Sequence, residues 1–257
     1  MSAPESRSLT GTSLTGKHAW VTGGGGDIGR ASALALARAG AHVHLIGRDA
    51  DRLDSAAADI ASVVGRRPDT YPLDVTDIDA VTELIQGATV DVLVNSAGTN
   101  IPQNLDEVRA DDFDTVFDVN VRAAFFVTQQ AVRAMRRDGC RGSIIMISSQ
   151  MGHVGGPKRS VYCGSKWAVE GMTRALALEL GPEGIRVNTV APTFVETEMT
   201  REFFEDAAFR EFVLGSIPLG MMAQSADVAA AVEFLAGDAS RMITGTSIRV
   251  DGGWTAQ

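Results

Sequence analysis

The chain has 257 residues, 45% of them hydrophobic, enough to bury the core of one large α/β domain or two small ones. A formal net charge of −9 argues against a nucleic-acid surface, because phosphate contacts need clustered Lys and Arg. Cys140 and Cys163 form no Cys-x-x-Cys pair, so a disulfide scaffold is not expected and a reducing compartment fits. No run of about 18 apolar residues offers a membrane span. Residues 1–13 are polar and lack the apolar core of a signal peptide. The expectation is a cytoplasmic protein with a disordered polar tail over residues 1–13.

From residue 14 onward, short β-branched runs alternate with Ala- and Leu-rich stretches. The pattern predicts a strand at 18–22, a helix at 28–39, a strand at 42–46 and a helix at 50–64. A third strand follows at 70–73, a helix at 78–86, and a short apolar strand at 91–94 of the kind covered on both faces. Helices at 109–119 and 123–137 precede a strand at 143–148, a long helix at 161–180 and a strand at 186–190. Residues 198–222 are less regular, rich in Phe and Met, and suggest a mobile lid. A helix at 226–235 and a strand at 247–250 close the pattern. Such alternation implies a doubly wound parallel sheet of about seven strands with helices on both faces. No Pro/Gly-rich linker divides it, so residues 14–257 are read as a single domain.

Two stretches carry chemistry. Tyr162 and Lys166 are four apart in a predicted helix and therefore share a face. A lysine ammonium there would favour the phenolate and lower a pKa that is ordinarily about 10. A tyrosine so tuned can exchange a proton with an alcohol or carbonyl oxygen. Ser149 lies thirteen residues upstream of Tyr162, at the end of a predicted strand. The second stretch, Thr22-Gly23-Gly24-Gly25-Gly26-Asp27-Ile28-Gly29, joins the first strand to the first helix. Glycines there permit a tight turn and close approach to a pyrophosphate, which the helix N-terminus can hold by its free N–H groups.

With these motifs in register, the chain resembles the short-chain dehydrogenases/reductases from about Leu14 to Gly253. Gly23 and Gly29 match the outer glycines of the family's Thr-Gly-x-x-x-Gly-x-Gly loop; Asp27 stands where the middle glycine is usual. Asp27 is expected to cap the helix, with Gly26 and Ile28 beside it in the phosphate loop. Asn95-Ser96-Ala97-Gly98 matches Asn-Asn-Ala-Gly except at Ser96. The resemblance implies a Rossmann-like fold in which Asn95, Ala97 and Gly98 run along the cofactor and Asp74 and Val75 meet its adenine. Pro192, Val195 and Thr197 would hold the nicotinamide carboxamide, with Thr193 replacing the usual glycine. Asn120, Ser149, Tyr162 and Lys166 match the catalytic tetrad in order and spacing. Tyr162 and Lys166 would also contact the cofactor, and Asn120 would hold a water linking Lys166 to solvent. No metal is implied.

Strand two ends in Ile46-Gly47-Arg48, where Gly47 takes the place of a ribose-binding acid. Arg48 can pair with a 2′-phosphate, so NADP(H) is favoured over NAD(H). The implied reaction is hydride transfer between nicotinamide and a secondary alcohol or ketone. Asn100, Gln150 and His153 make a polar entrance that suits a sugar, polyol or hydroxy acid, with Phe194 as a further wall. Phe203, Phe204, Phe209, Phe212, Met221 and Met222 read as lid packing. An alternative is a 3-oxoacyl-[acyl-carrier-protein] reductase whose Arg133, Arg136 and Arg137 dock the acidic carrier. A third, of another class, is a non-catalytic NADP-binding regulator. Relatives of this length imply a homotetramer, with no nucleic-acid or membrane partner.

Overall fold

The computed structural model describes residues 13–197, 204 and 206–256. The tail expectation therefore lies almost wholly outside the described residues, as do lid residues 198–203 and 205. The sheet is built from β1 (His18–Thr22), β2 (His42–Gly47), β3 (Asp69–Pro72), β4 (Val92–Asn95), β5 (Ser143–Ile147), β6 (Arg186–Pro192) and β7 (Ser247–Val250). Its seven strands lie in the order β3-β2-β1-β4-β5-β6-β7, and every neighbouring pair is parallel.

Parallel strands must be linked by crossovers, and the intervening sequences supply them as helices. These are α1 (Asp27–Arg38), α2 (Ala50–Val64), α3 (Ile78–Ile85), α4 (Ala110–Phe117), α5 (Ala124–Asp138), α6 (Ser160–Leu180), α7 (Ala207–Gly215) and α8 (Ser225–Ala236). Local chemistry fixes several ends. Asp49 and Asp77 accept from the backbone N–H groups of Arg52 and Ala80, capping α2 and α3. Gly65 and Gly139 stop α2 and α5 in the left-handed conformation that lacks a steric penalty only for glycine.

Alternate side chains of each strand feed two cores, as the period of two requires. Val21, Leu45, Val94 and Ile145 pack with α1, α2 and α8 on one face. Trp20, Ile46, Leu93 and Ile144 pack with α3, α5 and α6 on the other. Each fully buried Leu or Ile contributes about 1.5–3 kcal/mol of transfer free energy.

Two departures from the predicted elements matter. The helices expected at 109–119 and 123–137 are joined by a π-helical stretch, Asp118–Ala123, in which Asn120 is buried. Part of the irregular 198–222 region forms α7, whose first turn is capped by Asp206 accepting from Ala208 and Phe209 N–H. Elsewhere the predicted and observed ends differ by one or two residues. No described helix is long and apolar enough to cross a membrane.

Candidate active site

The strand order reverses between β1 and β4, and at such a switch point the loops leaving neighbouring strands diverge to open a crevice. Thr22, the last residue of β1, stitches the two loops together: its Oγ1 accepts from the N–H groups of Ser96 and Ala97, each at 3.1 Å. Gly23 has φ +66°, and a Cβ there would sit 2.9 Å from Ala97 N. At Gly29 a Cβ would fall 2.2 Å from Gly23 O, so helix α1 can approach its own loop only without a side chain. Gly26 is the N-cap of α1, and no side chain caps the helix. No capping side chain therefore competes for the helix N-terminus, where an anion is favoured. This corrects the expectation for Asp27, which is the first helical residue rather than the cap. Ile28 beside it packs against the core under α1.

Further along the same edge, Asn95 donates through Nδ2 to Thr128 Oγ1 at 2.9 Å, while its Oδ1 is buried without a partner among the described residues. Asn100 Oδ1, Ser148 Oγ and Thr193 Oγ1 are likewise buried and unpartnered. Orphaned polar atoms cost free energy unless something satisfies them, and these four belong to segments at or just past the carboxyl ends of β4, β5 and β6. Pro192 ends β6 beside Val250, and Val195 bridges to Ala223. Val75 is buried, and Asp74 Oδ1 accepts from the N–H and the hydroxyl of Thr76. The other carboxylate oxygen of Asp74 lies 3.9 Å from Arg48, whose side chain is 78% exposed. Asp49, in contrast, is spent on capping α2 and leaves Arg48 unopposed from that side.

Asn120, Ser149, Tyr162 and Lys166 converge on the crevice from three elements. Lys166, 5% exposed, donates from Nζ to Ile147 O at 2.9 Å and lies 5.6 Å from the Tyr162 ring centre. A Cβ on Gly98 would stand 3.3 Å from Asn120 Oδ1 and 3.7 Å from Lys166 Nζ, so Gly98 admits both groups. Asn120 Nδ2 donates to Thr99 O at 2.9 Å and Ser165 Oγ at 3.0 Å, and Oδ1 accepts from Thr99 N at 2.8 Å. Both amide protons are used, so this side chain ties loop to helix, and one lone pair of Oδ1 is all it has left for a water. Ser149 Oγ accepts from Met151 N at 3.1 Å and donates to Gln150 Oε1 at 2.8 Å.

The electrostatics also differ from the sequence expectation. Burial holds the Tyr162 phenol above its ordinary value of 10, against opposing pulls from a Ser149 hydrogen bond and the Arg159 charge. Burial lowers Lys166 to about 8, with Glu170 pulling the other way. Desolvation, rather than the lysine, dominates the tyrosine.

Two expected substrate contacts are engaged elsewhere. His153 Nε2 is 2.9 Å from Ser247 Oγ and 3.3 Å from Glu170 Oε1, behind the crevice. Phe194 packs with Phe209 and Trp254 at centroid distances of 5.5 and 5.8 Å, within an aromatic cluster that also holds Phe204 and Phe212. Phe203 lies outside the described residues. Gln150 is buried, with its Oε1 accepting from Ser149 Oγ, and Asn100 is partly buried with its Oδ1 unpartnered among the described residues. The basic trio is largely neutralised: Arg136 pairs with Glu183, Arg137 with Asp138, and Arg133 donates to Gln130. Sequence reasoning missed Glu170, whose only signal was its place one helical turn after Lys166. Among the described residues no cluster of three or more His, Cys, Asp or Glu could hold a metal.

Comparison with known proteins gives a consistent result. Residues 25–255 match the family described as Enoyl-(Acyl carrier protein) reductase. L-xylulose reductase from Mesocricetus auratus is 40% identical over 242 residues, covering 94% of this chain and 97% of the relative. The 3-oxoacyl-[acyl-carrier-protein] reductase FabG from Thermotoga maritima is 39% identical, covering 93% and 98%. The crystal structure of a gluconate 5-dehydrogenase from Burkholderia cenocepacia in complex with NADP and tartrate superposes with a TM-score of 0.90 at 32% identity, covering 95% and 97%. Aligned over more than nine-tenths of its length to such relatives, this chain belongs to the short-chain dehydrogenase/reductase family.

Proposed function

We propose that this chain is an NADP(H)-dependent oxidoreductase acting on a secondary alcohol or ketone of a sugar, polyol or hydroxy acid. The observation that carries the proposal is the convergence of Ser149, Tyr162 and Lys166 on a crevice at strand ends whose polar atoms are unpartnered among the described residues. The residues present fit a dinucleotide. Gly23, Gly26 and Gly29 shape the pyrophosphate loop; Asn95, Ala97 and Gly98 line the edge; Pro192 closes β6 at that edge, and Val195 and Thr197 belong to the segment that follows it. Exposed Arg48, with Gly47 where a ribose-binding acid would stand, favours a 2′-phosphate over a free hydroxyl. NAD(H) is the second choice.

The nicotinamide, when bound, supplies or accepts the hydride. Ser149 donates its hydroxyl proton to the substrate oxygen, giving up its bond to Gln150. Tyr162 gives a proton to that oxygen in reduction and takes one in oxidation. A phenol held above 10 keeps its proton near neutrality, which suits it to act as the acid. Oxidation needs the phenolate, so its kcat/KM rises with pH from neutrality through the mildly alkaline range, whereas reduction loses rate as the phenol ionises. Lys166 stands by the ring, held in place by Ile147 O.

Gln150 and Asn100 give the substrate side of the crevice amide groups for hydroxyls, while the phenylalanines pack on one another. The 3-oxoacyl carrier-protein reading is supported by the Thermotoga maritima relative, but the arginines it would use are paired within the chain. Exposed Phe113, Phe125, Trp167 and Leu178 on α4, α5 and α6 support a homotetramer, and two unpaired cysteines support a cytoplasmic setting. Absorbance at 340 nm with a panel of ketoses, polyols, aldonates and a 3-oxoacyl thioester tests the substrate class. Tyr162→Phe should retain cofactor binding and lose about 10²–10⁴-fold in kcat. Retained turnover refutes the assigned role.

A further inference from the structure

Behind the crevice sits a buried carboxylate that the proposed chemistry does not use. The Glu170 side chain is 2% exposed and follows Lys166 by one turn of α6. Its Oε1 accepts from Thr189 Oγ1 of β6 at 2.9 Å and from Ser247 Oγ of β7 at 3.2 Å. His153 Nε2 lies 3.3 Å from the same oxygen and 2.9 Å from Ser247 Oγ. The turn that carries Ser149 and His153 is pressed onto this group, since a Cβ on Gly152 would meet Ser148 Oγ at 2.9 Å and Glu170 Cγ at 3.2 Å. Four elements therefore meet at one carboxylate.

A buried carboxylate is costly unless hydrogen bonds and opposite charge offset its desolvation. Hydroxyls from two strands supply the hydrogen bonds. The charged and titratable groups facing it are Lys166 and Arg174 from its own helix and His153 from the Ser149 turn; β6 and β7 present only Thr189 and Ser247. Arg174 is exposed and 3.9 Å away, so water screens it. Lys166 is buried with the glutamate, where the effective dielectric is low and Coulomb attraction is strong.

Resting on the assignment of Lys166 and Ser149 to the reacting site, we propose that Glu170 is its positioning residue. Its carboxylate clasps the Ser149 turn to helix α6 and supplies the fixed negative charge against which the Lys166 ammonium is held.

The chain has only three lysines, Lys17, Lys158 and Lys166, so their side-chain carbons can be assigned in an isotope-labelled sample by single Lys→Arg replacements. In the full chain Glu170→Gln should lower the Lys166 titration midpoint by about one pH unit, a tenfold loss of proton affinity. Amide exchange at residues 151–154 should quicken about tenfold. The double variant Thr189→Val/Ser247→Ala removes two hydrogen bonds but not the carboxyl group, so it should speed that exchange and move the lysine midpoint less than Glu170→Gln does; it also serves if Glu170→Gln does not fold. An unchanged midpoint in Glu170→Gln, or a midpoint that falls equally in the double variant, overturns the proposal. Neither measurement involves turnover, so a failure here is distinct from retained activity in Tyr162→Phe, which would instead sink the assignment of the site.

Discussion

At the carboxyl ends of the strands, buried polar atoms of Asn95, Asn100, Ser148 and Thr193 find no partner among the described residues, and Tyr162 and Lys166 are both pushed off their ordinary pKa values by burial. The ladder of rings that runs across β1, β2 and β3 is built the opposite way. Trp20 stacks on His44 at 4.3 Å between centroids, His18 stacks on His42 at 5.0 Å, and Tyr71 closes the row against Trp20 at 5.3 Å. There the polar atoms pair: His18 Nδ1 meets His44 Nε2 at 3.0 Å, His44 Nδ1 lies 3.3 Å from Asp69, and Trp20 Nε1 donates to Thr89 O at 2.9 Å. One sheet thus has a satisfied ladder that contributes stability and an unsatisfied end shaped for a ligand. The same parallel strands serve both, because every strand points its carboxyl end to the same side.

The contrast makes quantitative demands. Trp20→Ala removes the largest ring of the ladder and should cost about 3–5 kcal/mol in denaturant unfolding, with kcat per folded molecule unchanged. A comparable loss of kcat with little change in stability would erase the distinction between the two regions. Acid should act at the ladder next. Burial lowers His44 to about 4 from 6.5, so the fold holds the neutral ring. Its contribution is fully present above pH 6.5 and is lost as pH falls from there toward 4, on the order of 3 kcal/mol. His44→Phe should flatten that part of the stability–pH curve; an unaltered slope would assign the loss to other groups.

At the carboxyl end the effects should appear in binding instead. Arg48→Ala should raise the KM for NADPH at least tenfold, about 1.4 kcal/mol, and leave that for NADH nearly as it was; equal changes for both would remove the basis for preferring the phosphate. The smallest effect is expected from Thr193→Val. It deletes a buried hydroxyl that has no partner among the described residues, so stability should hold or rise by up to about 1 kcal/mol. Cofactor affinity should nevertheless fall severalfold, and a gain in both quantities would mean that the hydroxyl serves no ligand.

Much of this was legible in the sequence because the signals were periodic or punctuating. β-branched runs, helical stripes and glycines at chain reversals state local geometry. The four residues of the expected tetrad came from the family resemblance, and three separate elements bring them near one another. What escaped depends on distant partners. His153 looked like a substrate contact until β7 brought Ser247 beside it, 94 residues later. Phe194 looked like a pocket wall, but its neighbours come from α7 and the C-terminal turn at Trp254. Glu170 drew no reading at all, since nothing local says that β6 and β7 cover it. Asp27 was expected to cap α1, a position that proved to be one residue earlier. Lys166 was expected to govern the Tyr162 proton, yet desolvation is a property of the assembled site and cannot be seen at i and i+4.

The π-helical stretch Asp118–Ala123 has a consequence for how the chain tolerates change in length. Such a turn behaves as one residue inserted into an otherwise regular helix, widening it locally. Removing Val119 should let the segment relax to ordinary helical winding while the residues beyond keep their face toward β4. The shortened chain should be as helical by circular dichroism, but Asn120 would swing away from Thr99 and Ser165 and lose its three hydrogen bonds there, so stability should fall. The molecule carries one residue more than its architecture requires, and what that surplus secures is a single side chain's direction.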